Sequence, residues 1–476
     1  MKKILFIAVL LFATVTIAYS KIKLPEIIGN NMVLQQETSV RVWGWGGANS
    51  IIKVSTSWNT EKYTTKTNED NSWEVWIKTP KAGYTRHSLI IEERTRQTAE
   101  FDTLSNILIG EVWFCSGQSN MQMPLNGFQN QPVTGANRYI LEAQDYQYIR
   151  MATIPNTKAL EPQKEVRGQW KESTSENAQW FGAVAYLYAL NLHKALKVPI
   201  GIINCSWGGS RLEGWLPEWK LRDYPDIDIR EASDENFKEW LKPMIMYNGM
   251  LKPLQKYTIK GFLWYQGESN VGKHKTYAAR MADMVSIWRQ EWGLGELPFY
   301  FVEIAPYNYG KGDQAAYLRE AQALAQNQIQ GSVMVSTGDL LEEYEKNCIH
   351  PSNKSSVAER LAMVSLSNTY GFKGIRSRSP EIDKIELKEN KAILFFKNAE
   401  DGFTPFENIE GFEVAGSDKI FYPALAYADM QTKNICISSS NVKIIEAVRF
   451  CFHNLNVVKL HNTRGLPVLS FRSDNW

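Results

Sequence analysis

The sequence predicts an α/β protein in which a parallel sheet carries helices on both faces, with β regions before and after it. Between about residues 106 and 371, apolar runs of strand length alternate with periodic stretches of helix length, and this alternation is typical of a parallel sheet. On either side, short β-type runs separated by turns replace the helices. A chain of 476 residues is long enough for two or three domains.

The first twenty residues have the pattern of a secretory signal peptide. Lys2 and Lys3 precede the apolar run ILFIAVLLFATVTIA, and AYS ends the segment with small residues at the cleavage spacing. The apolar run is shorter than a membrane span, and no stop-transfer pattern follows it. We therefore expect an exported protein, periplasmic or extracellular, that has no membrane insertion after cleavage.

Residues 21–105 are predicted to form a β-sandwich-like domain. Its strand-type runs are VRVWGW, IIKVSTSW, KYTTKT, SWEVWIK and HSLIIEER. Strands at this spacing are typical of a small sandwich. The segment contains no candidate catalytic cluster, so we expect a supporting or binding role for it.

Residues 106–371 are predicted to form the catalytic α/β domain, and residues 372–476 a C-terminal β domain. The strands of the middle region are SNILIGEVWFCSG, VPIGIINCS, YTIKGFLWYQG, LPFYFVEIAP and GSVMVSTGD. The helices between and after them are ENAQWFGAVAYLYALNLHKAL, YAARMADMVSIWRQEWG, AAYLREAQALAQNQ and NKSSVAERLAMVSLSNTYG. In such sheets ligands bind where the strands end and the loops begin.

Charge and cysteine content narrow the classes of partner. Loss of the leader's two lysines lowers the 53 basic residues to 51, equal to the 51 acidic ones, so the net charge does not favour nucleic acid or an anionic membrane as a partner.

The sequence contains five cysteines, and an odd count leaves at least one unpaired. Cys436 and Cys451 lie in neighbouring predicted strands, where a disulfide between them is one option, and the pairing stays open. No cysteine pair has zinc-ligand spacing, so we expect no metal or cofactor.

Three polar, glycine-containing turns follow buried strands of the middle region. They are CSGQSN, CSWGGSR and WYQGESN. Small polar residues at strand ends do not help the sheet, and all three turns are predicted to meet at the edge where ligands bind. The sequence therefore predicts a site built from these turns.

Ser119, in the first turn, is the candidate nucleophile, and it needs a base. His350, in NCIHPSNK, lies between a predicted strand and a helix, which places it at the same edge. The other five histidines fall in β regions, within a helix or in a lysine-flanked stretch. A single turn serine or structural histidine is ordinary, and the Gly-x-Ser-x-Gly elbow is incomplete because Met121 replaces its second glycine. The joint position of the two residues is what favours catalysis.

An acyl-transfer reaction also needs hydrogen-bond donors aimed at the developing oxyanion. The candidate donors are the backbone N–H groups of Ser119 and of Gly208 or Gly209, and the side chains of Gln266 or Asn270.

GEVWFCSGQSNMQMPL, SWGGSRLEGWLP, FLWYQGESN and IHPSNK closely resemble the corresponding stretches of sialate O-acetylesterases. That family belongs to the SGNH/GDSL hydrolases, in their carbohydrate acetyl esterase branch. The opening LPEIIGNNMVLQQ and the late IEGFEVAGSDKIFYPA are similar to this family too, so the resemblance extends over nearly the whole mature chain. It implies a flavodoxin-like sheet, Ser119 as nucleophile, His350 as base, oxyanion donors from the glycine pair and the Gln266–Asn270 turn, and an acetyl-enzyme intermediate.

The chain departs from the superfamily pattern at one position. Many SGNH hydrolases carry aspartate three residues before the histidine, where this chain has Asn347, followed by Cys348. A catalytic histidine needs a partner that holds its tautomer and orientation. Asp339, Glu343 or Glu345 is one group of candidates, and a backbone carbonyl or the Asn347 amide, which would make a Ser–His dyad, is the alternative that we favour.

Sialic acid carries a carboxylate, which an arginine can bind through two parallel hydrogen bonds. Arg211, two residues beyond the glycine pair, is the candidate, with a surface salt bridge as its ordinary alternative. Gln118 and Glu268 are further substrate-binding candidates, although a buried structural carboxylate is the simpler interpretation of Glu268.

Two alternative functions remain open. Acetylated plant polysaccharides such as xylan are the alternative substrates for an esterase, and a noncatalytic carbohydrate-binding protein is the alternative from another functional class. The oligomeric state stays open.

Overall fold

The structure is a computed structural model that describes residues 22–95, 99–455 and 457–476. The predicted signal peptide lies outside the described residues. Within them no helix is long and apolar enough to cross a membrane.

The N-terminal region is built of strands, as predicted. They are β1 (Val33–Gln35), β2 (Ser39–Trp45), β3 (Ile51–Thr56), β4 (Lys62–Lys66), β5 (Ser72–Lys78) and β6 (Gly83–Arg94). β2 pairs antiparallel with β5, and β3 lies between β4 and β6. Alternate side chains of these strands, such as Val40, Val42, Ile52 and Val54, are buried, because the side chains of a strand point to opposite faces in turn.

Strand β7 (Ala99–Gly117) belongs to two sheets. Its first half pairs with β6, and its second half pairs with the strands of the central sheet. The burial follows this division: the segment AEFDTLSN is largely exposed or half-buried, whereas ILIGEVWFCSG is buried throughout. The predicted boundary between residues 105 and 106 therefore falls inside a continuous strand.

The central sheet has the strand order β13-β12-β11-β7-β10-β8-β9, and only β9 is antiparallel in it. Its further strands are β8 (Ile149–Thr153), β9 (Trp170–Glu172), β10 (Ile200–Ser206), β11 (Gly261–Tyr265), β12 (Phe299–Val302) and β13 (Ser332–Val335). In β7, Val112 and Phe114 join one core, whereas Trp113 and Cys115 join the core on the opposite face. This two-sided burial explains why the strands are apolar runs without alternation.

Helices cover both faces of this sheet, which confirms the predicted fold class. They are α1 (Ser119–Gln122), α2 (Ala136–Glu142), α3 (Ser175–Ala178), α4 (Ala183–Leu196), α5 (Glu218–Leu221), α6 (His274–Trp292), α7 (Gln314–Gln328) and α8 (Lys354–Asn368). α4 and α8 bury their apolar residues in one core, and α6 and α7 bury theirs in the other, which they share with the N-terminal strands.

The C-terminal region is again built of strands, with a core of its own. They are β14 (Glu381–Lys388), β15 (Lys391–Lys397), β16 (Phe403–Thr404), β17 (Phe412–Ala415), β18 (Tyr422–Pro423), β19 (Leu425–Ala428), β20 (Ile435–Ser438), β21 (Ala447–Phe450), β22 (His461–Asn462) and β23 (Phe471–Arg472). The Cys436–Cys451 disulfide considered above is not formed, because both thiols are free. They lie in or beside strands of two different sheets, β20 in one and β21 in the other.

Candidate active site

The carboxyl ends of β7, β10 and β11 bring the three predicted turns together. Gly117, the last residue of β7, is paired in register with Ser206 on one side and Tyr265 on the other. Gly117 has φ 137°, and a Cβ at this position would lie 2.1 Å from the Tyr265 carbonyl oxygen. Glycine is therefore required where the chain leaves the strand, and the next residues form the turn that presents Ser119.

Ser119 and His350 are in hydrogen-bonding contact. Ser119 Oγ lies 2.7 Å from His350 Nε2, although 231 positions separate the two residues. Ser119 begins the short helix α1, and His350 lies on the loop that leads into α8. The ring of Phe128 meets the imidazole edge to face, with 5.2 Å between the ring centroids. The pair thus has the distance that proton transfer from a serine hydroxyl needs.

The other imidazole nitrogen contacts a residue that the sequence did not indicate. His350 Nδ1 lies 2.5 Å from Gln131 Oε1. An amide oxygen can only accept, so Nδ1 carries the proton and donates it to Gln131. Nε2 is then left as the acceptor for the Ser119 hydroxyl, which is the tautomer that a general base requires. The orienting partner of the histidine is a neutral amide.

The predicted orienting groups are bound elsewhere, and these predictions are wrong. Asp339 accepts from the Arg360 guanidinium at 2.7 and 2.6 Å, and its Oδ2 lies 3.1 Å from His461 Nε2. Asn347 accepts from another asparagine amide, and the Cys348 thiol lies 3.2 Å from the backbone carbonyl of His350 rather than from its ring. Glu343 accepts from a lysine ammonium, and Glu345 accepts from two backbone N–H groups.

The environment of His350 favours its neutral form. Burial, together with the positive charge of Lys354, lowers the pKa of His350 to about 4. Both causes act against the imidazolium, since burial removes hydration and a like charge repels it. The imidazole is therefore unprotonated, and able to accept a proton, throughout the neutral pH range.

The glycine pair contributes one free N–H group to the site. Gly208 donates its backbone N–H to Gln122 Oε1 at 2.8 Å, so this predicted oxyanion donor is already bound. Neither Gly209 nor Ser119 gives its backbone N–H to an acceptor among the described residues. Gly209 adopts φ 77°, a left-handed conformation that suits glycine. The two free groups are the remaining backbone candidates for the oxyanion site.

Of the predicted side-chain donors, Gln266 has both amide hydrogens bound within the turns, whereas Asn270 keeps one amide hydrogen without an acceptor among the described residues and stays a prediction. Gln266 donates to the Ser210 carbonyl at 3.0 Å and to Asn270 Oδ1 at 2.8 Å, and Asn270 donates to Glu213 at 3.0 Å. All of these groups are buried. Their hydrogen bonds join the second turn to the third, so both amides support the glycine turn.

Gln118 and Glu268 are both buried. Gln118 Oε1 accepts from the backbone N–H of Gly267 at 3.1 Å, whereas its amide Nε2 has no acceptor among the described residues. Glu268 Oε1 accepts from the Asn120 amide at 2.6 Å, and its buried Oε2 has no hydrogen-bond partner in the described segments. Burial raises the pKa of Glu268. The structural interpretation of Glu268 agrees with these contacts, and a substrate contact by either residue stays a prediction.

Arg211 is half-buried at the second turn and forms no ion pair within the described part of the chain. Its guanidinium lies over the ring of Phe237, 5.8 Å from the ring centroid. The ring of Trp240 lies against Gly209, because a Cβ on this glycine would be 2.6 Å from Trp240 Cδ1. The surface salt bridge considered for Arg211 is thus not formed with any described residue, and its positive charge is not neutralised by a neighbouring carboxylate. In the described residues no group of three or more His, Cys, Asp or Glu side chains has metal-binding geometry.

The serine–histidine pair lies at the carboxyl edge of a parallel α/β sheet, and this arrangement is that of a carboxylic ester hydrolase. Residues 109–367, more than half of the chain, match the family model described as carbohydrate esterase, sialic acid-specific acetylesterase. The chain belongs to this family of carbohydrate esterases.

Relatives and a solved structure agree with this assignment. The sialate O-acetylesterase of Pongo abelii is 28% identical over 402 residues, which cover 78% of this chain and 76% of the relative. That of Mus musculus is 27% identical over 428 residues, 78% of each protein. The crystal structure of a carbohydrate acetylesterase from Xanthomonas citri is similar with a TM-score of 0.83 and 29% identity, over 96% of this chain and all of that chain.

Proposed function

We propose that the protein removes O-acetyl groups from sialic acids, with Ser119 as nucleophile and His350 as general base. The observation that carries this proposal is the 2.7 Å contact between Ser119 Oγ and His350 Nε2, with the Nδ1 proton directed at Gln131. A hydroxyl, an unprotonated acceptor and a partner that holds the tautomer are the parts that acyl transfer from a serine needs.

The reaction has two halves. Ser119 Oγ attacks the acetyl carbonyl carbon while His350 Nε2 takes its proton, and the tetrahedral oxyanion forms near the free N–H groups of Ser119 and Gly209. The bond to the sugar oxygen then breaks, and His350 gives the proton to that oxygen, which leaves acetyl-Ser119. Water attacks this ester with the same histidine as base, and acetate and the free serine result.

Two observations favour a sialic acid as the sugar. The relatives in the comparison carry the name sialate O-acetylesterase, and the Arg211 guanidinium, at the second turn, has no ion-pair partner among the residues that the structure describes. A bidentate arginine contact is the usual way to recognise a carboxylate, and neutral sugars lack this group. Export by the predicted signal peptide would give the protein access to glycans outside the cytoplasm.

Acetylated neutral polysaccharides such as xylan are the second candidate substrates, because the similar structure from Xanthomonas citri is named a carbohydrate acetylesterase without a stated sugar. Acetate release from O-acetylated sialosides and from acetylated xylan fragments, measured for the wild type and for Ser119→Ala, separates the two. We expect serine-dependent release with a higher kcat/KM for the sialosides. A higher value for xylan fragments favours the alternative.

A noncatalytic carbohydrate-binding protein makes a different prediction. It releases no p-nitrophenol from p-nitrophenyl acetate beyond the rate of Ser119→Ala. Serine-dependent release excludes it.

A further inference from the structure

Lys354 places a buried ammonium group beside the nucleophile turn. It is the first residue of α8 and is only 1% exposed. Its Nζ lies 2.6 Å from Oδ1 of Asn120, the residue that follows Ser119. A buried charge is costly unless specific contacts compensate it, so the contacts around this group indicate its role.

The amide of Asn120 connects three parts of the active site. Its oxygen accepts from Lys354, and its Nδ2 donates to Glu268 Oε1 at 2.6 Å and to the Ile349 carbonyl at 3.0 Å. Lysine can only donate and an ionised carboxylate can only accept, so these two residues fix which end of the amide faces which partner. As a result, the N–H group points at the carbonyl immediately before His350.

Charge supports the same arrangement. Within the described part of the chain, Glu268 has one buried oxygen without a hydrogen-bond partner, so an ionised Glu268 depends on a nearby cation. Burial lowers the pKa of Lys354 to about 8, while Glu268, Cys348 and Glu345 act in the opposite direction. The positive charge of Lys354 also contributes to the low pKa of His350.

We propose that Lys354 is a positioning residue for His350: it orients the Asn120 amide, which ties the loop carrying the imidazole to the turn carrying Ser119. This inference rests on the proposed function, because it assumes that Ser119 and His350 react as a pair. Without the ammonium, buried Glu268 loses the cation that favours its ionised form, and a protonated Glu268 can donate to the amide oxygen. The amide can then turn its oxygen toward the Ile349 carbonyl, where two acceptors repel each other. The histidine loop would move away from the serine.

The test compares wild type with Lys354→Met in the full chain. Diisopropyl fluorophosphate labelling, located by mass spectrometry, reports the reactivity of Ser119, and p-nitrophenyl acetate gives kcat/KM against pH. We expect labelling to be slower by about tenfold or more and KM to change by less than about twofold. The acid limb of the profile should move up by roughly half to one pH unit, because a cation near His350 is lost.

Three variants separate positioning from a general loss of stability. Lys242→Met is the matched control, since Lys242 is a buried lysine, 4.0 Å from Glu239, that contacts neither Asn120 nor His350; wild-type labelling is expected. Lys354→Arg keeps the charge and should keep the acid limb near its wild-type position. Asn120→Ala removes the hydrogen bond to the Ile349 carbonyl but keeps the positive charge of Lys354, so Ser119 should be labelled slowly in this variant. If the two residues act through the same contact, the Asn120→Ala/Lys354→Met double variant should be labelled no more slowly than the slower of the two single variants.

Several outcomes overturn the inference. One is a folded Lys354→Met protein with wild-type labelling and an unmoved acid limb. If that variant does not fold, wild-type labelling of Asn120→Ala overturns it instead. Turnover that survives Ser119→Ala overturns the proposed function and this inference together, whereas serine-dependent turnover with an unaffected Lys354→Met rejects the inference alone.

Discussion

Gln131→Ala removes the hydrogen bond that holds the His350 tautomer, and its cost follows from the contact. The Gln131 oxygen accepts from Nδ1 at 2.5 Å, and in the transition state that ring carries a positive charge. A hydrogen bond to a charged group contributes about 1.5–3 kcal/mol. At about 1.4 kcal/mol for each tenfold change in rate, kcat should fall roughly 10- to 150-fold, whereas KM should change little because Gln131 is directed at the histidine.

The assay is p-nitrophenyl acetate hydrolysis as a function of pH, with Gln179→Ala as the matched control. Gln179 is also a half-buried amide, and it accepts from Asn126 at 3.0 Å on the same loop, but it does not contact His350. The control should keep wild-type kcat. Gln131→Glu should move the acid limb of the pH–rate profile up by about one to three pH units, because a carboxylate beside His350 raises the pKa of the imidazole. The kcat of this variant should not fall below that of the wild type.

Two results would refute this reasoning. Wild-type kcat in Gln131→Ala would mean that the hydrogen bond does not orient the base. A loss as large as that of His350→Ala would mean that the loop collapses, and thermal unfolding of the variant would then show a lowered Tm.

Three further predictions concern pH, stability and substrate choice. In the wild type, kcat/KM for p-nitrophenyl acetate should be flat through neutral pH and fall only near pH 4, since His350 has a pKa of about 4 and its protonated form cannot accept the serine proton; an acid limb near pH 6.5 would contradict this. Asp339→Asn should lower the unfolding free energy by about 3–5 kcal/mol by leaving buried Arg360 without its carboxylate, yet keep kcat within about twofold at a temperature where it stays folded, as thermal melts and initial rates will show. Arg211→Ala should raise KM for an acetylated sialoside by about tenfold or more while leaving a neutral acetylated sugar unaffected, and an equal loss on both substrates would exclude carboxylate recognition.

The fold class was predictable because the apolar residues of the strands and helices follow clear patterns in the sequence. The meeting of the three turns was predictable because parallel strands end at a common edge. Buried strands are apolar runs, and the carboxyl ends of parallel strands lie at one edge. Ser119 and His350 were identified for the same reason, since each follows a predicted strand or precedes a predicted helix. Their contact is observed, and their chemical roles are proposals that the variants above test.

The partners of these two residues were not predictable. Gln131 lies in the irregular, amide-rich stretch NGFQNQP, where nothing distinguishes one amide from the next and no acidic residue draws attention. Gln266 was wrong as an oxyanion donor, and Asn270 has one of its two amide hydrogens bound elsewhere, because an amide bonds to whatever the packing brings near it. Here the packing brings Ser210 and Glu213, from a distant turn. A single asparagine in place of aspartate, at Asn347, indicated correctly that the usual acid is absent.

Strand β7 joins the reaction centre to the N-terminal region through backbone that is paired in both sheets. Its nineteen residues, Ala99–Gly117, continue from one sheet into the next, with Asn106 in a left-handed conformation (φ 57°) where the strand changes sheets. Two residues beyond Gly117 is the nucleophile. A rigid-body swing between the two sheets would have to break this backbone ladder rather than rotate a loop. We therefore expect substrate entry and exit to depend on the side chains and short loops around the site, with the N-terminal strands supporting the central sheet from below β7.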